Sequence, residues 1–341
     1  MDNVLEIKKL SVSFRTSQGE VEAVRDVSLS LHKGEVLAIV GESGCGKSVL
    51  CKSVMRLLPS NAFFKQGKIL AGKEDITMLS EQKMQSLRGR AFSMVFQDPM
   101  MALDPTISVG NQIMEAVLQH SNVGKSAAKE KALELLNLVG LEKAEQRFHL
   151  QPQFFSGGMR QRCVLAIALS SHPQILFADE PTTALDVTMQ AQILNLLQSL
   201  QKKMNLSILF VSHDLGVVAR IADRIAIMYA GKIVEIGTAE DIFYDPRHPY
   251  TWGLLRALPY FTIKGSKLYN IKGMPPVLIH PPKGDAFAVR NEYAMKVDYK
   301  KMPPFYKISN THSAATWLLD PRAPQISIPE LPNAGRLKAF G

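Results

Sequence analysis

The sequence contains only three cysteines, Cys45, Cys51 and Cys163, in 341 residues. Their spacing makes neither a disulfide framework nor a zinc site and fits a reducing compartment. No apolar run approaches the ~18 residues needed to cross a bilayer. The N-terminus, Met1-Asp2-Asn3-Val4-Leu5-Glu6, has neither the basic nor the apolar region of a secretory leader. Internal repeats and low-complexity tracts are absent. Apolar residues make up 46% and charged residues 21%, which excludes a disordered or collagen-like chain. The expectation is a soluble, globular protein that meets any membrane through a partner.

Acidic residues are scarce in one stretch. Residues 264–341 carry 12 Lys and Arg against 5 Asp and Glu, whereas residues 1–263 are nearly balanced at 28 against 26. Most of the net charge of +9 therefore lies in the tail. On its own that charge would point to nucleic acid, an anionic membrane surface or phosphates. The tail also holds ten of the 19 prolines, which bias its backbone to extended and turn conformations. A boundary near residue 263 follows, separating residues 1–263 from a small proline-rich C-terminal domain, 264–341.

Through the first 240 residues, short apolar runs alternate with helix-period stretches, the pattern of an α/β domain with a largely parallel sheet. Strands are expected at Val36–Val40, Phe92–Phe96, Ile175–Ala178, Ile208–Val211 and Ile225–Met228. Ahead of them, Val4–Phe14 and Val21–Leu31 alternate around a turn-like Arg15–Gly19 and read as an antiparallel hairpin. An all-helical insertion, about 98–172, carries helices at Val109–His120, Ser126–Val139 and Met159–Leu169.

Three sites carry chemistry. Directly after Val36–Val40 comes Gly41-Glu42-Ser43-Gly44-Cys45-Gly46-Lys47-Ser48, then a helical stretch: G-x-x-x-x-G-K-[ST] in its strand–loop–helix setting. Its glycines turn backbone N–H groups inward around the β- and γ-phosphates, Lys47 adds a full positive charge, and Ser48 offers a hydroxyl to Mg²⁺. The second site is Ile175-Leu176-Phe177-Ala178-Asp179-Glu180, where acids emerge at the carboxyl end of a strand. Asp179 is placed for Mg²⁺ and Glu180 for polarising an attacking water. The third is Phe155-Ser156-Gly157-Gly158-Met159, an N-cap and two glycines opening a helix, a second anion site. With one nucleotide already cradled by Gly41–Ser48, an intermolecular use is attractive, each chain's Ser-Gly-Gly helix facing the γ-phosphate held by the other.

Together these residues resemble the ATP-binding-cassette ATPases over residues 1 to about 260. Gly41–Ser48 is similar to their Walker A motif, Gln97 to the Q-loop, Phe155–Met159 to the signature, Ile175–Glu180 to Walker B, Ala184-Leu185-Asp186 to the D-loop and His213 to the H-loop. The resemblance implies a P-loop NTPase fold with a mixed sheet core, an antiparallel β subdomain and a helical insertion. It also implies that Gln97 senses Mg²⁺ and water, that His213 contacts the γ-phosphate and that Asp186 lies at a dimer interface. Phe14 resembles the aromatic that stacks on adenine, with a hairpin core residue as the alternative. Cys45 and Cys51 are read as small packing residues.

The wording is narrower than the superfamily. Phe96–Met100 with Leu103-Asp104-Pro105, Ser156–Arg162, Asp186–Ile193 and Arg247-His248-Pro249-Tyr250-Thr251 resemble the oligopeptide/dipeptide permease ATPases. In many of those subunits the tail carries four cysteines that ligate an iron–sulfur cluster. Here the frame Gly284–Asn291, Asp298 and Thr316 before Trp317-Leu318 holds Asp285, Asn291, Asp298 and Thr316 at those positions, so no such cluster is expected. The pattern resembles D-type subunits of the Ami type from Gram-positive bacteria. A hard-cation site through Asp285, Asn291 and Asp298, side-chain hydrogen bonds and plain exposure are the alternatives for these positions. The implied function is an ATPase that pairs with a homologous ATPase and two transmembrane permease subunits, served by an extracytoplasmic peptide-binding protein, at the cytoplasmic face of the bacterial membrane. Its cofactors would be ATP and Mg²⁺. The alternatives are the same ATPase with another cargo such as nickel, a binding-only subunit, and a soluble cassette protein acting on nucleic acid, a partner not expected here.

Overall fold

A computed structural model describes residues 2–258, 269–327 and 329. The chain divides into two compact units, one from Met1–Val4, Leu31–Glu35 and Met78–Val211, the other from Leu5–Ser30, Val36–Thr77 and Ser212–Gly341. The boundary expected near residue 263 lies outside the described residues.

In the first unit, Phe92–Val95, Ile175–Asp179 and residues 207–211 of Ser207–Ser212 form parallel ladders, with Met94 opposite Phe177 and Phe177 opposite Leu209. Every residue of the last two strands is buried, and all but Asp179, Ser207 and Ser212 are apolar, as in a parallel sheet covered on both faces. Phe92 meets Phe177 edge-on at 6.1 Å between ring centroids. Between the first two strands the chain is helical, with Pro99–Ala102, Val109–His120, Lys125–Leu138, Ala144–Arg147 and Gly157–Leu169. Val109–His120 buries Val109, Gly110, Ile113 and Val117 on one face. The long helix Val187–Met204 turns Ile193, Leu194, Leu197 and Leu200 inward and ends at Asn205, a residue in the left-handed conformation.

In the second unit, Gly19–His32, Asn3–Thr16, Ala62–Ala71 and Glu74–Asp75 lie in that order in an antiparallel sheet. A separate ladder pairs Val36–Val40 in parallel with Arg224–Tyr229, then antiparallel with Lys232–Thr238, Ser313–Ala314 and Tyr306–Lys307. The proline-rich tail thus contributes two short strands. The α/β class, the antiparallel β part and the all-helical insertion are as expected. Several details differ: Phe92–Phe96 ends at Val95, with Phe96 40% exposed, the antiparallel strand Lys232–Thr238 joins the ladder unforeseen, and the hairpin gains Ala62–Ala71 as a third strand.

Candidate functional site

The phosphate-type loop belongs to the second unit. Val36–Val40, buried at every position, delivers the chain to Gly41, where a Cβ would lie 2.0 Å from the Met228 carbonyl oxygen. Gly46 has φ +107°, and a Cβ there would meet the Ala23 carbonyl oxygen at 2.3 Å. Glycine is required at both places by close backbone approach. Helix Lys47–Met55 starts at Gly46 with no side-chain cap and no acid in its first turn, which leaves its leading N–H groups for an anion. Lys47 is buried, and its Nζ donates to the carbonyls of Gly41 (2.7 Å) and Glu42 (3.0 Å), so the ammonium is folded into the loop.

Ser43 and Gly44 are exposed and Ser48 is half-buried at the second helical position. Burial pushes the Cys45 thiol up despite the Lys47 charge, and Cys51 is buried as well, which fits packing for both. Phe14 is half-buried opposite Ala62, and His213 is exposed just past Ser207–Ser212.

The first unit carries the acids. Asp179 closes its strand almost fully buried, and Glu180 follows at φ +49°, a left-handed turn rare for such a residue. Two donors hold its carboxylate: Gln97 Nε2 donates to Oε2 at 3.3 Å and Thr183 Oγ1 at 3.0 Å. The structure therefore brings Gln97 to Glu180 although 83 residues separate them. Thr183 was not read from the sequence, where its only signal is a hydroxyl three residues after the acid.

In the same unit Ser156 is exposed and caps Gly157–Leu169, its Oγ accepting from Met159 N at 3.4 Å. Gly157 is exposed and Gly158 is buried against Met189. Exposed Asp186 caps Val187–Met204 through Met189 N at 2.9 Å. Thus Gln97, Ser156, Gly157, Gly158, Asp179, Glu180 and Asp186 lie in one unit, and Phe14, Gly41–Ser48 and His213 in the other.

The residues fit ATP and Mg²⁺. A loop in which Gly41 and Gly46 have no room for a Cβ, an uncapped helix start and an inward ammonium form a polyphosphate cradle. Among the described residues no three His, Cys, Asp or Glu side chains are grouped to hold a metal by themselves. Mg²⁺ keeps its waters and is held by one or two carboxylates together with substrate phosphates, a part that the Asp179 carboxylate at the end of its strand fits.

In the tail, Asp285, Asn291, Asp298 and Thr316 are all at most 9% exposed, which corrects the reading of plain exposure. Each spends an oxygen on the backbone: Asp285 accepts from Phe287 N (3.0 Å), Asn291 from Tyr293 N (2.9 Å), Asp298 from Met295 N (2.6 Å) and Thr316 from Leu318 N (3.3 Å). These are the local turns such side chains favour. Burial pushes the Asp285 carboxyl up to about 6.

Comparisons with known proteins show the family. A family model described as "ABC transporter" matches residues 24–183, and one described as "Oligopeptide/dipeptide transporter, C-terminal region" matches 234–297. The chain is 55% identical over 333 residues to an oligopeptide transport ATP-binding protein, OppD, of Bacillus subtilis, covering 97% of this chain and 93% of that one. It is 52% identical to a dipeptide transport ATP-binding protein, DppD, of Lactococcus lactis, covering 96% and 94%. A solved dimeric ATP-binding cassette in a post-hydrolysis state with ADP and phosphate aligns with TM-score 0.62 at 25% identity, over 69% of this chain and 98% of that one.

Proposed function

The chain belongs to the ATP-binding subunits of the oligopeptide/dipeptide ABC transporters, and from that premise we propose how its residues divide the work. It binds and hydrolyses ATP to energise uptake of oligopeptides or dipeptides through a membrane permease. The observation that carries the reading is the loop itself: an uncapped helix start behind glycines pressed against backbone, with Lys47 turned into it.

Lys47 and the N–H groups of Gly41–Ser48 take the β- and γ-phosphates, with Glu42, Ser43, Gly44, Cys45 and Gly46 forming the turn. Phe14 stacks on adenine. Ser48, Asp179 and Gln97 hold Mg²⁺, which when bound screens the phosphate charge. Glu180 receives the proton of the attacking water, oriented by the hydrogen bonds from Gln97 and Thr183. His213 contacts the γ-phosphate. Ser156, Gly157 and Gly158 meet the γ-phosphate of a partner ATPase, and Asp186 lies at that interface. Residues 1–263 form the nucleotide domain, with the helical insertion at about 98–172, and 264–341 the extension.

The ATPase works as a cassette dimer with permease subunits, peripheral to the membrane, and no described helix is long and apolar enough to span it. The finer proposal is a heterodimer with a homologous ATPase, two permease subunits, a peptide-binding protein outside the membrane and attachment at the cytoplasmic face. No iron–sulfur cluster is proposed, because three buried free cysteines are fewer than the four thiolates of a [4Fe–4S] centre. Stoichiometric iron and sulfide in the purified chain would refute that.

Proteoliposomes holding the co-purified complex test the function. ATP-dependent accumulation of labelled peptide is expected, and ATP-driven nickel uptake without peptide uptake would overturn the cargo.

A further inference from the structure

The Gly284–Asn291 segment of the tail reaches the phosphate loop through Arg290, a side chain only 4% exposed. Its guanidinium grips the Glu42 carboxylate in a two-pronged bridge, Nη1 to Oε2 at 2.6 Å and Nη2 to Oε1 at 2.9 Å. Its remaining donors are also engaged. Nε reaches the Lys272 carbonyl at 2.9 Å, Nη2 the Ile271 carbonyl at 3.4 Å and Nη1 the Tyr229 hydroxyl at 3.3 Å. Such a planar fork on a carboxylate fixes orientation as well as charge.

Glu42 is the second residue of the loop and is held at three points. Arg290 takes the carboxylate, the Tyr250 hydroxyl accepts from Glu42 N at 2.9 Å, and the Glu42 carbonyl receives Lys47 Nζ at 3.0 Å. Phe287, three residues before Arg290, packs on both tyrosines, 5.2 Å from Tyr229 and 5.3 Å from Tyr250 between ring centroids. One turn of the tail therefore braces both rings and supplies the cation that neutralises Glu42.

We propose that Arg290 is a positioning residue for ATP binding. It locks Glu42 so that the Gly41 and Glu42 carbonyls keep Lys47 in place, and it cancels a carboxylate that would otherwise stand unpaired beside a polyphosphate. The proposal rests on Gly41–Ser48 being the ATP loop. Removing one partner of a shielded charge pair is far more costly than removing both charges, because the survivor is left unpaired.

The test uses the purified full chain, with ATP titrated by calorimetry, melting followed in parallel, and the ATPase of the assembled transporter measured against ATP. For Arg290→Ala, ATP affinity is expected to fall about tenfold, the ratio set by ~1.4 kcal/mol, with KM rising in step and kcat changing less than about twofold. Arg290→Lys keeps the charge without the fork and should fall between, and it serves as the test if the alanine variant does not fold. In Glu42→Gln/Arg290→Ala the repelling carboxylate is gone and affinity should return to within about threefold of the parent. Unchanged affinity in both single variants overturns the proposal, and so does a double variant that binds as poorly as Arg290→Ala, since simple loss of packing would do that. A parent chain that binds no ATP overturns the loop reading and the proposal with it, whereas a binding parent with unaffected variants overturns the proposal alone.

Discussion

Gly46→Ala, set against Gly44→Ala, separates two costs that the loop combines. Both glycines have positive φ, +107° at Gly46 and +79° at Gly44. A methyl at Gly44 meets nothing within 4 Å, so only conformational strain is added, about 1–2 kcal/mol. At Gly46 the new Cβ would sit 2.3 Å from the Ala23 carbonyl oxygen and 2.9 Å from Met228 Cε. The methionine tip can swing away, but the carbonyl belongs to a paired strand. Strain of about 1–3 kcal/mol and overpacking of similar size add to about 2–6 kcal/mol, a large share of the 5–15 kcal/mol that holds a domain together. At about 2–4 °C per kcal/mol, Gly44→Ala should melt a few degrees below the parent and Gly46→Ala about 10 °C or more below it. Melting of the purified chain without nucleotide is the assay. Equal losses in the two variants, or a Gly46→Ala chain as stable as the parent, would refute the claim that backbone contact dictates this glycine.

Two further substitutions probe buried acids in the second unit. Glu235 is fully buried and accepts from Arg247 N, His248 N and His312 Nε2 at 2.5, 3.1 and 2.8 Å, so Glu235→Ala orphans three polar groups and should cost about 3–5 kcal/mol in denaturant unfolding. Asp285 is raised by burial from an ordinary 3.8 to about 6, so the folded state holds its proton more tightly than the unfolded one and stability falls as pH rises from about 4 through 6. Asp285→Asn keeps the acceptor for Phe287 N, so it should flatten that slope and be the more stable chain at pH 7–8, by about 3 kcal/mol; an unchanged pH–stability profile would contradict this.

The parts most legible in the sequence were those with local causes. Val36–Val40 and Ile175–Ala178 announce themselves because a buried parallel strand reads as an apolar run; the first stops before a glycine as expected, while the second continues one residue further to the buried Asp179. Val109–His120 was placed to the residue by its single apolar face. Phe96 is apolar and so fits a strand pattern, yet it is 40% exposed just past Val95, since hydrophobicity does not determine burial. Ala62–Ala71 escaped because Gly67, at φ +99°, lies against the Leu10 backbone where the ladder shifts register, and Lys65, Gln66 and Lys68 interrupt the apolar alternation.

In the tail, the sequence leaves open whether the oxygens at Asp285, Asn291, Asp298 and Thr316 bind a cation, form hydrogen bonds or lie exposed, because their burial depends on turns closed by their own oxygens. The Glu42–Arg290 bridge spans 248 residues and has no local trace at all. Within the candidate site the motifs named the residues, and the contact of Gln97 with Glu180 required the fold.

In the proposed reaction Glu180 takes the proton from the water that attacks ATP. Glu180→Gln keeps the shape and an acceptor for Thr183 but cannot take that proton. ATP binding and turnover measured on the assembled transporter carrying this variant test the claim directly. Affinity close to the parent's with hydrolysis reduced at least about a hundredfold is the predicted result, in line with what a general base contributes. Near-normal turnover would rule Glu180 out as the base.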